Sequence, residues 1–134
     1  MFVAARSLEA RAYDALVAAG ADDLTPTQAR LMAQIDRDGT RVVTLAARAR
    51  TTKQSAAFLV DQLERAGYVE RVADPSDGRA KLIRLTPRAR AMGDLADAEV
   101  ARALREWEAH VGAARMRRLE ETMAMLREIT DPWA

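Results

Sequence analysis

Apolar residues recur at threes and fours through most of this chain and alternate in only one place. Over residues 2–19, Leu8, Ala12, Ala15, Leu16 and Ala19 share one helical face, and Gly20 ends the run. "LTPTQARLMAQI" then opens with Thr25 as N-cap, Pro26 at the first helical position and Gln28 three residues after the cap. That is a capping box with its favoured proline, and it predicts a helix with Leu31, Met32 and Ile35 inward and a stop at "DRDG", 36–39. Val42, Val43 and Thr44 form a β-branched run expected to give a single strand rung, followed by a brief helix over 45–49. "TTKQSAAFLVDQLERAG" restarts a helix capped by Thr51 or Thr52, with Ala56, Leu59, Val60 and Leu63 as its buried stripe. Gly67 closes it in the left-handed position that a helix C-terminus prefers. A short helix, a tight break and a longer helix predict a helix-turn-helix.

The alternation lies in 68–73, with Val69 and Arg71 on one face and Tyr68, Glu70 and Val72 on the other, and in 80–85, with Leu82 or Ile83 inward. "DPSDG" between them supplies turn residues, so the pair reads as an antiparallel hairpin, the wing of a winged helix-turn-helix. Thr86-Pro87 repeats the cap-and-proline start for a long helix carrying Met92, Ala96, Val100, Ala103, Trp107 and Val111. Gly112 interrupts it, and a last helix carries Met116, Leu119, Met123, Leu126 and Ile129. The expected fold is mainly α with a small β-hairpin wing, in one domain: a lobe over 24–86 between dimerisation helices over 1–23 and 87–134. A lobe of that size leaves the stripes of the outer helices uncovered, which predicts a two-fold dimer joined through both termini.

Composition removes several chemistries. The 134 residues are 49% hydrophobic and 31% charged, a globular balance. There is no cysteine and a single histidine, His110, so thiolate metal sites and thiol-based redox sensing are excluded; a site made only of carboxylates stays open but unmarked, and no metal or cofactor is expected. The six methionines at helical spacing read as core filler, and His110 as a surface or dimer residue rather than a ligand sensor. The paired acids Asp22-Asp23 and Glu120-Glu121 have no partner that would mark them as acid/base catalysts. No Ser-His-Asp set or phosphate-cradling glycine loop occurs, so the chain is expected not to be an enzyme and to have no catalytic residues. No apolar stretch approaches the ~20 residues that cross a bilayer, and "MFVAARSLEARAYDAL" lacks the apolar core of a signal peptide. A cytoplasmic protein without membrane contact is the expectation.

Charge changes the picture more. The net +1 hides 11 basic and 5 acidic side chains in residues 41–90, a balance of +6 between flanks of −2 (1–40) and −3 (91–134). A basic centre on an acidic frame suits a polyanion-binding lobe. In a helix-turn-helix the first turn of the second helix enters the major groove. Here that turn is Thr52-Lys53-Gln54-Ser55, an ammonium, a carboxamide and two hydroxyls ahead of the buried stripe. A carboxamide pairs bidentately with adenine, lysine with guanine or phosphate, and hydroxyls with either. The wing adds Arg79, suited to a narrow minor groove, with Asp77 two residues earlier expected to hold its guanidinium, and Lys81 and Arg84 as phosphate neighbours or solvated charges. The candidate DNA-binding set is therefore Thr52, Lys53, Gln54, Ser55, Asp77, Arg79 and Lys81. The competing reading is a winged-helix module that docks a protein and binds no DNA.

With these residues in view, "LTPTQARLM", "TLAARARTTKQSAAFLVDQLERAGYVERV" and "DPSDGRAKLIRLTPRARA", from about Leu24 to Ala91, resemble the MarR-type transcriptional regulators. The Asp-x-Arg wing followed by Leu85-Thr86 is the most specific part. The resemblance implies a homodimer with interlocked terminal helices and repression of a neighbouring gene from double-stranded DNA. It also implies release by a small, often aromatic or anionic, effector held between the dimerisation helices and the lobe. Three positions depart from the pattern. Ala89 replaces a frequent glycine, Arg50 stands at the inter-helix turn where glycine is common, and Phe58 stands where a polar or basic residue is frequent. Arg50 is expected to be held left-handed at a cost of about 1 kcal/mol, and Phe58 to be an extra packing residue. The N-terminal segment is shorter than in many relatives, so a thinner interlock is expected.

Overall fold

Six helices and one antiparallel hairpin follow one another as α1 (Phe2–Ala18), α2 (Pro26–Met32), α3 (Val42–Arg48), α4 (Lys53–Arg65), β1 (Val69–Asp74), β2 (Asp77–Leu85), α5 (Pro87–Val111) and α6 (Ala113–Thr130). The structure, a computed structural model, describes residues 2–132. Its helix starts are written in the sequence. Thr25 accepts from the Gln28 amide while the Gln28 side chain accepts from the Thr25 amide, closing the capping box, with Pro26 in the first turn. Thr52 and Thr86 cap α4 and α5 in the same way, through the amides of Ser55 and Ala89. Each such cap is worth about 1 kcal/mol.

Two boundaries differ from the sequence reading. Helix α2 ends at Met32, before "DRDG", and the next residues form turns. Val42–Thr44 do not form a strand rung but the first turn of α3, because the single bridge to the wing is made two residues earlier. There Thr40 and Ile83 exchange backbone hydrogen bonds of 2.9 and 2.8 Å, adding one rung to the hairpin's inner edge. Gly39 makes this approach possible: its φ is +106°, and a Cβ there would lie 2.9 Å from the Leu82 Cβ.

The lobe closes around Leu24, Leu31, Leu45, Val60, Leu63, Tyr68 and Ile83, all buried. Full burial of side chains of this size stabilises by about 1.5–3 kcal/mol each. Ile83, not Leu82, is the fully buried residue of β2, and Arg71, two residues after the buried Val69, is exposed. Tyr68 anchors the junction with α1. Its hydroxyl donates to Asp23, Arg88 stacks over its ring at 4.8 Å, and burial together with Asp23 pushes its pKa up to about 12.

Helix α1 lies along α5. Arg11 fixes the contact, donating to Glu99 at 2.7 Å and to both oxygens of Glu106 at 2.6 and 3.1 Å, while Arg102 bonds Glu99 from the same helix. Beyond Gly112, α6 buries only Met116. Leu119, Met123, Met125, Leu126 and Ile129 stand exposed, so Met123 and Met125 are not filler of this chain's own core.

Candidate nucleic-acid interface

Helix α4 buries Ala56, Val60 and Leu63 and thereby aims its opposite side outward. At 3.6 residues per turn that side carries Gln54, Phe58, Asp61 and Arg65. All four residues of the predicted reading turn, Thr52 to Ser55, are exposed. Thr52 Oγ1 accepts from the Ser55 amide at 3.0 Å and donates to the Ser55 hydroxyl at 2.9 Å, so this pair orders the turn. Lys53 and Gln54 project from it into solvent.

Arg50, in the break before α4, has φ +51°, the left-handed conformation expected of it. Phe58 overturns its expected packing role. It is 62% exposed, because position 58 falls one turn beyond Gln54 on the outward side rather than over the core.

The wing is built on a pair that the sequence did not announce. Asp74, at the end of β1, is buried, and its Oδ2 accepts from Arg41 Nε and Nη2 at 2.8 and 2.6 Å. Its Oδ1 accepts from the amide and hydroxyl of Ser76 at 2.9 and 2.7 Å. The Ser76 bonds, then Arg41, hold the Asp74 carboxyl down to a pKa of about 2. The turn is tighter than "DPSDG" suggests: only Pro75 and Ser76 lie between the strands. Pairing runs from Val69 opposite Leu85 to Ala73 opposite Lys81 and then jumps to Asp74 opposite Asp77. Gly78, Arg79 and Ala80 therefore bulge from β2 without partners on β1.

Asp77 does not hold the Arg79 guanidinium as expected. Its Oδ1 accepts the Arg79 backbone amide at 3.1 Å, and its Oδ2 lies 3.9 Å from Arg41. The short spacing of Asp77 and Arg79 brings the carboxylate under the bulged backbone and leaves the long side chain free to extend.

Several cations of the lobe and its edge are occupied. Arg48 pairs with Asp36, Arg71 with Asp61 and Glu64, Arg84 with Glu70, and Arg88 donates to the Ala66 carbonyl. Among the described residues Arg50, Lys53, Arg65, Arg79 and Lys81 have no hydrogen bond or ion pair from their side chains. These charges sit at the start and end of α4 and on the wing. Among the described residues no hydrogen bond or ion pair joins Asp77, Arg79 or Lys81 to the Thr52–Ser55 turn, so the candidate set is two separate exposed groups on one lobe. The Arg41–Asp74 pair was the feature that sequence reasoning missed. Asp74 before Pro-Ser could have signalled a side-chain-capped turn, but nothing local names Arg41 as its partner.

A capped second helix, an ordered wing and two long outer helices define a winged helix-turn-helix protein with the fold of MarR-family transcription regulators. Residues 22–80 match the sequence model of the MarR family. It is similar to the solved structure of CouR from Rhodococcus jostii RHA1 bound to p-coumaroyl-CoA, at 26% identity and a TM-score of 0.67 over 97% of this chain and 88% of that one. A MarR-family transcriptional regulator from Rhodococcus sp. RHA1 matches at 25% identity and TM-score 0.66, over 96% and 87% of the two chains. MepR of S. aureus bound to ethidium bromide shares the fold at 18% identity and TM-score 0.67, over 93% and 90%. No curated protein sequence matches the chain. Among the described residues no helix is long and apolar enough to cross a membrane.

Proposed function

We propose that the chain is a cytoplasmic, homodimeric, sequence-specific DNA-binding repressor that recognises an inverted-repeat operator. The observation that carries this reading is the residual charge of the lobe. After internal pairing among the described residues, Arg50 and Lys53 are left at the reading turn and Arg79 and Lys81 on the wing, while Arg37 and Arg65 are left elsewhere on the lobe. Lys53, Gln54 and the Thr52–Ser55 hydroxyls supply base or phosphate contacts, and Arg79 with Lys81 reaches the neighbouring backbone or minor groove. Dimerisation is supported by α6, whose apolar stripe is left exposed by the described residues.

A small effector fits the same scheme. CouR holds a coenzyme A thioester and MepR an aromatic cation. In this chain an open hollow of about 460 Å³ lies between α1 and α5, lined by Arg11, Asp14, Ala15, Ala18, Ala19, Leu95 and Glu99, within the outer helices and not between them and the lobe as the resemblance implied. Two carboxylates face one arginine that is already bonded to Glu99 and Glu106, a balance that favours a neutral or cationic aromatic ligand over an anion.

The test is a titration of the full chain on the duplex upstream of its own gene and on mixed-sequence DNA. Gln54→Ala or Ser55→Ala should cost about 1–3 kcal/mol on the preferred duplex and little on the mixed one. Equal weakening on both sinks the base-reading role. Failure to bind any duplex at low salt returns the lobe to protein docking.

A further inference from the structure

Phe58 is the one large aromatic residue displayed on the outward side of α4, and neither capping, core packing nor the helix's ion pairs use it. Other exposed large apolar residues lie on α1, α5 and α6, apart from Val43 at the start of α3. Phe58 is thus set apart from the uncovered dimerisation stripes. It stands one turn after Gln54 on the same side, about 6 Å along the axis, a separation of roughly two stacked base pairs.

Its neighbours define what it meets. Gln54 is suited to the adenine edge, and an A·T pair about two steps further along presents a thymine C5-methyl group in the same groove. Asp61, next along the stripe, is held by Arg71 at 2.6 Å, which compensates the one carboxylate on this side. Arg65 at the far end has no ion-pair partner among the described residues. A phenyl ring between a carboxamide and a cation on a groove-facing side has no donor or acceptor to satisfy. The thymine methyl is the apolar feature that the major groove offers it.

We propose that Phe58 is a specificity-determining residue that reads a thymine, its ring packing on the C5-methyl group. The proposal rests on the DNA-binding reading above. It sharpens that reading to an A·T-containing step under the second turn of α4.

The test takes the full chain and the best-bound duplex recovered from a random-sequence pool. Each thymine in turn is replaced by deoxyuridine, which removes only the methyl group, and affinity is read by fluorescence anisotropy at fixed salt. One thymine per half-site should weaken binding about fourfold when demethylated, the value of one buried methyl group. The same replacement should have no effect on Phe58→Ala, and Phe58→Leu should retain part of the discrimination. Circular dichroism of both variants should match the unsubstituted chain, since the ring is outside the core. If no thymine shows the effect, or if deoxyuridine weakens Phe58→Ala as much, Phe58 is not a methyl reader, and a protein-docking role replaces it. If the pool yields no bound duplex, the DNA-binding reading itself has failed, a result distinct from the other two.

Discussion

Arg41 places two guanidinium nitrogens on a single oxygen of Asp74, at 2.8 and 2.6 Å, and so ties the N-cap residue of α3 to the last residue of β1. The wing is thereby anchored to the first helix of the helix-turn-helix, not only to its own hairpin. Because the Asp74 carboxyl is lowered from 3.8 to about 2, its bonds stabilise the fold above the unfolded value and are lost as pH falls between those two values. Asp36, Glu99 and Glu106 are lowered too, by Arg48, Arg102 and Arg11 respectively, and add to the same acid-side loss. The expected outcome is that Asp74 titrates near pH 2 by carboxyl-carbon NMR and that Ser76 amide protection falls with it. In Asp74→Asn that protection should be weak already at neutral pH and flat through the acid range. Titration of Asp74 near 4 would contradict the pairing.

Arg79 and Asp77 act on the wing in different ways. Arg79→Ala should weaken duplex binding and reduce the salt dependence by about one charge per subunit. Asp77→Ala removes a negative charge, yet it also releases the Arg79 amide and the bulged backbone. Binding should weaken, and a double-mutant cycle should show less than additive losses. Tighter binding by Asp77→Ala, or full additivity, would mean that the carboxylate does not order the bulge.

Arg50 carries a local conflict between conformation and charge. At φ +51° a side chain costs about 1 kcal/mol that glycine avoids. Arg50→Gly should leave the free protein as stable or slightly more stable in urea titration, while Arg50→Val should destabilise it by more than 1 kcal/mol, roughly. The glycine variant should nevertheless bind duplex more weakly, having lost a cation. Lower stability for glycine than for valine would contradict the left-handed assignment.

Much of this was legible in advance because it is local. Thr25-Pro26-x-Gln28, Thr52 and Thr86-Pro87 fix helix starts through contacts within one turn, and Gly67 ends α4 at φ +81° as its position implied. One error came from a distant pairing, and two from local phase and turn geometry. Val42–Thr44 have strand-like side chains, but the bridge at Thr40 uses the available edge of β2 first. Phe58 looked like core because it is apolar, while the helical phase of Ala56, Val60 and Leu63 already pointed it outward. Asp77 was read as a guanidinium partner from spacing alone, and the tight Pro75-Ser76 turn brought it to the backbone instead.

The exposed stripe of α6 predicts that light scattering at micromolar concentration returns twice the 14.8 kDa of one chain. Leu126→Glu together with Met123→Glu should yield monomers with an intact lobe, since neither residue belongs to the lobe core. A monomeric unsubstituted chain would remove the two-fold arrangement.

The central claim is that two copies of the lobe read a defined sequence. Selection of the full chain on a random duplex pool at moderate salt, followed by sequencing of the bound fraction, tests it most directly. Enrichment of one inverted repeat is expected, with half-sites centred about one helical turn, ~10 bp, apart. A bound fraction with no enriched sequence, or one enriched without two-fold symmetry, would contradict it.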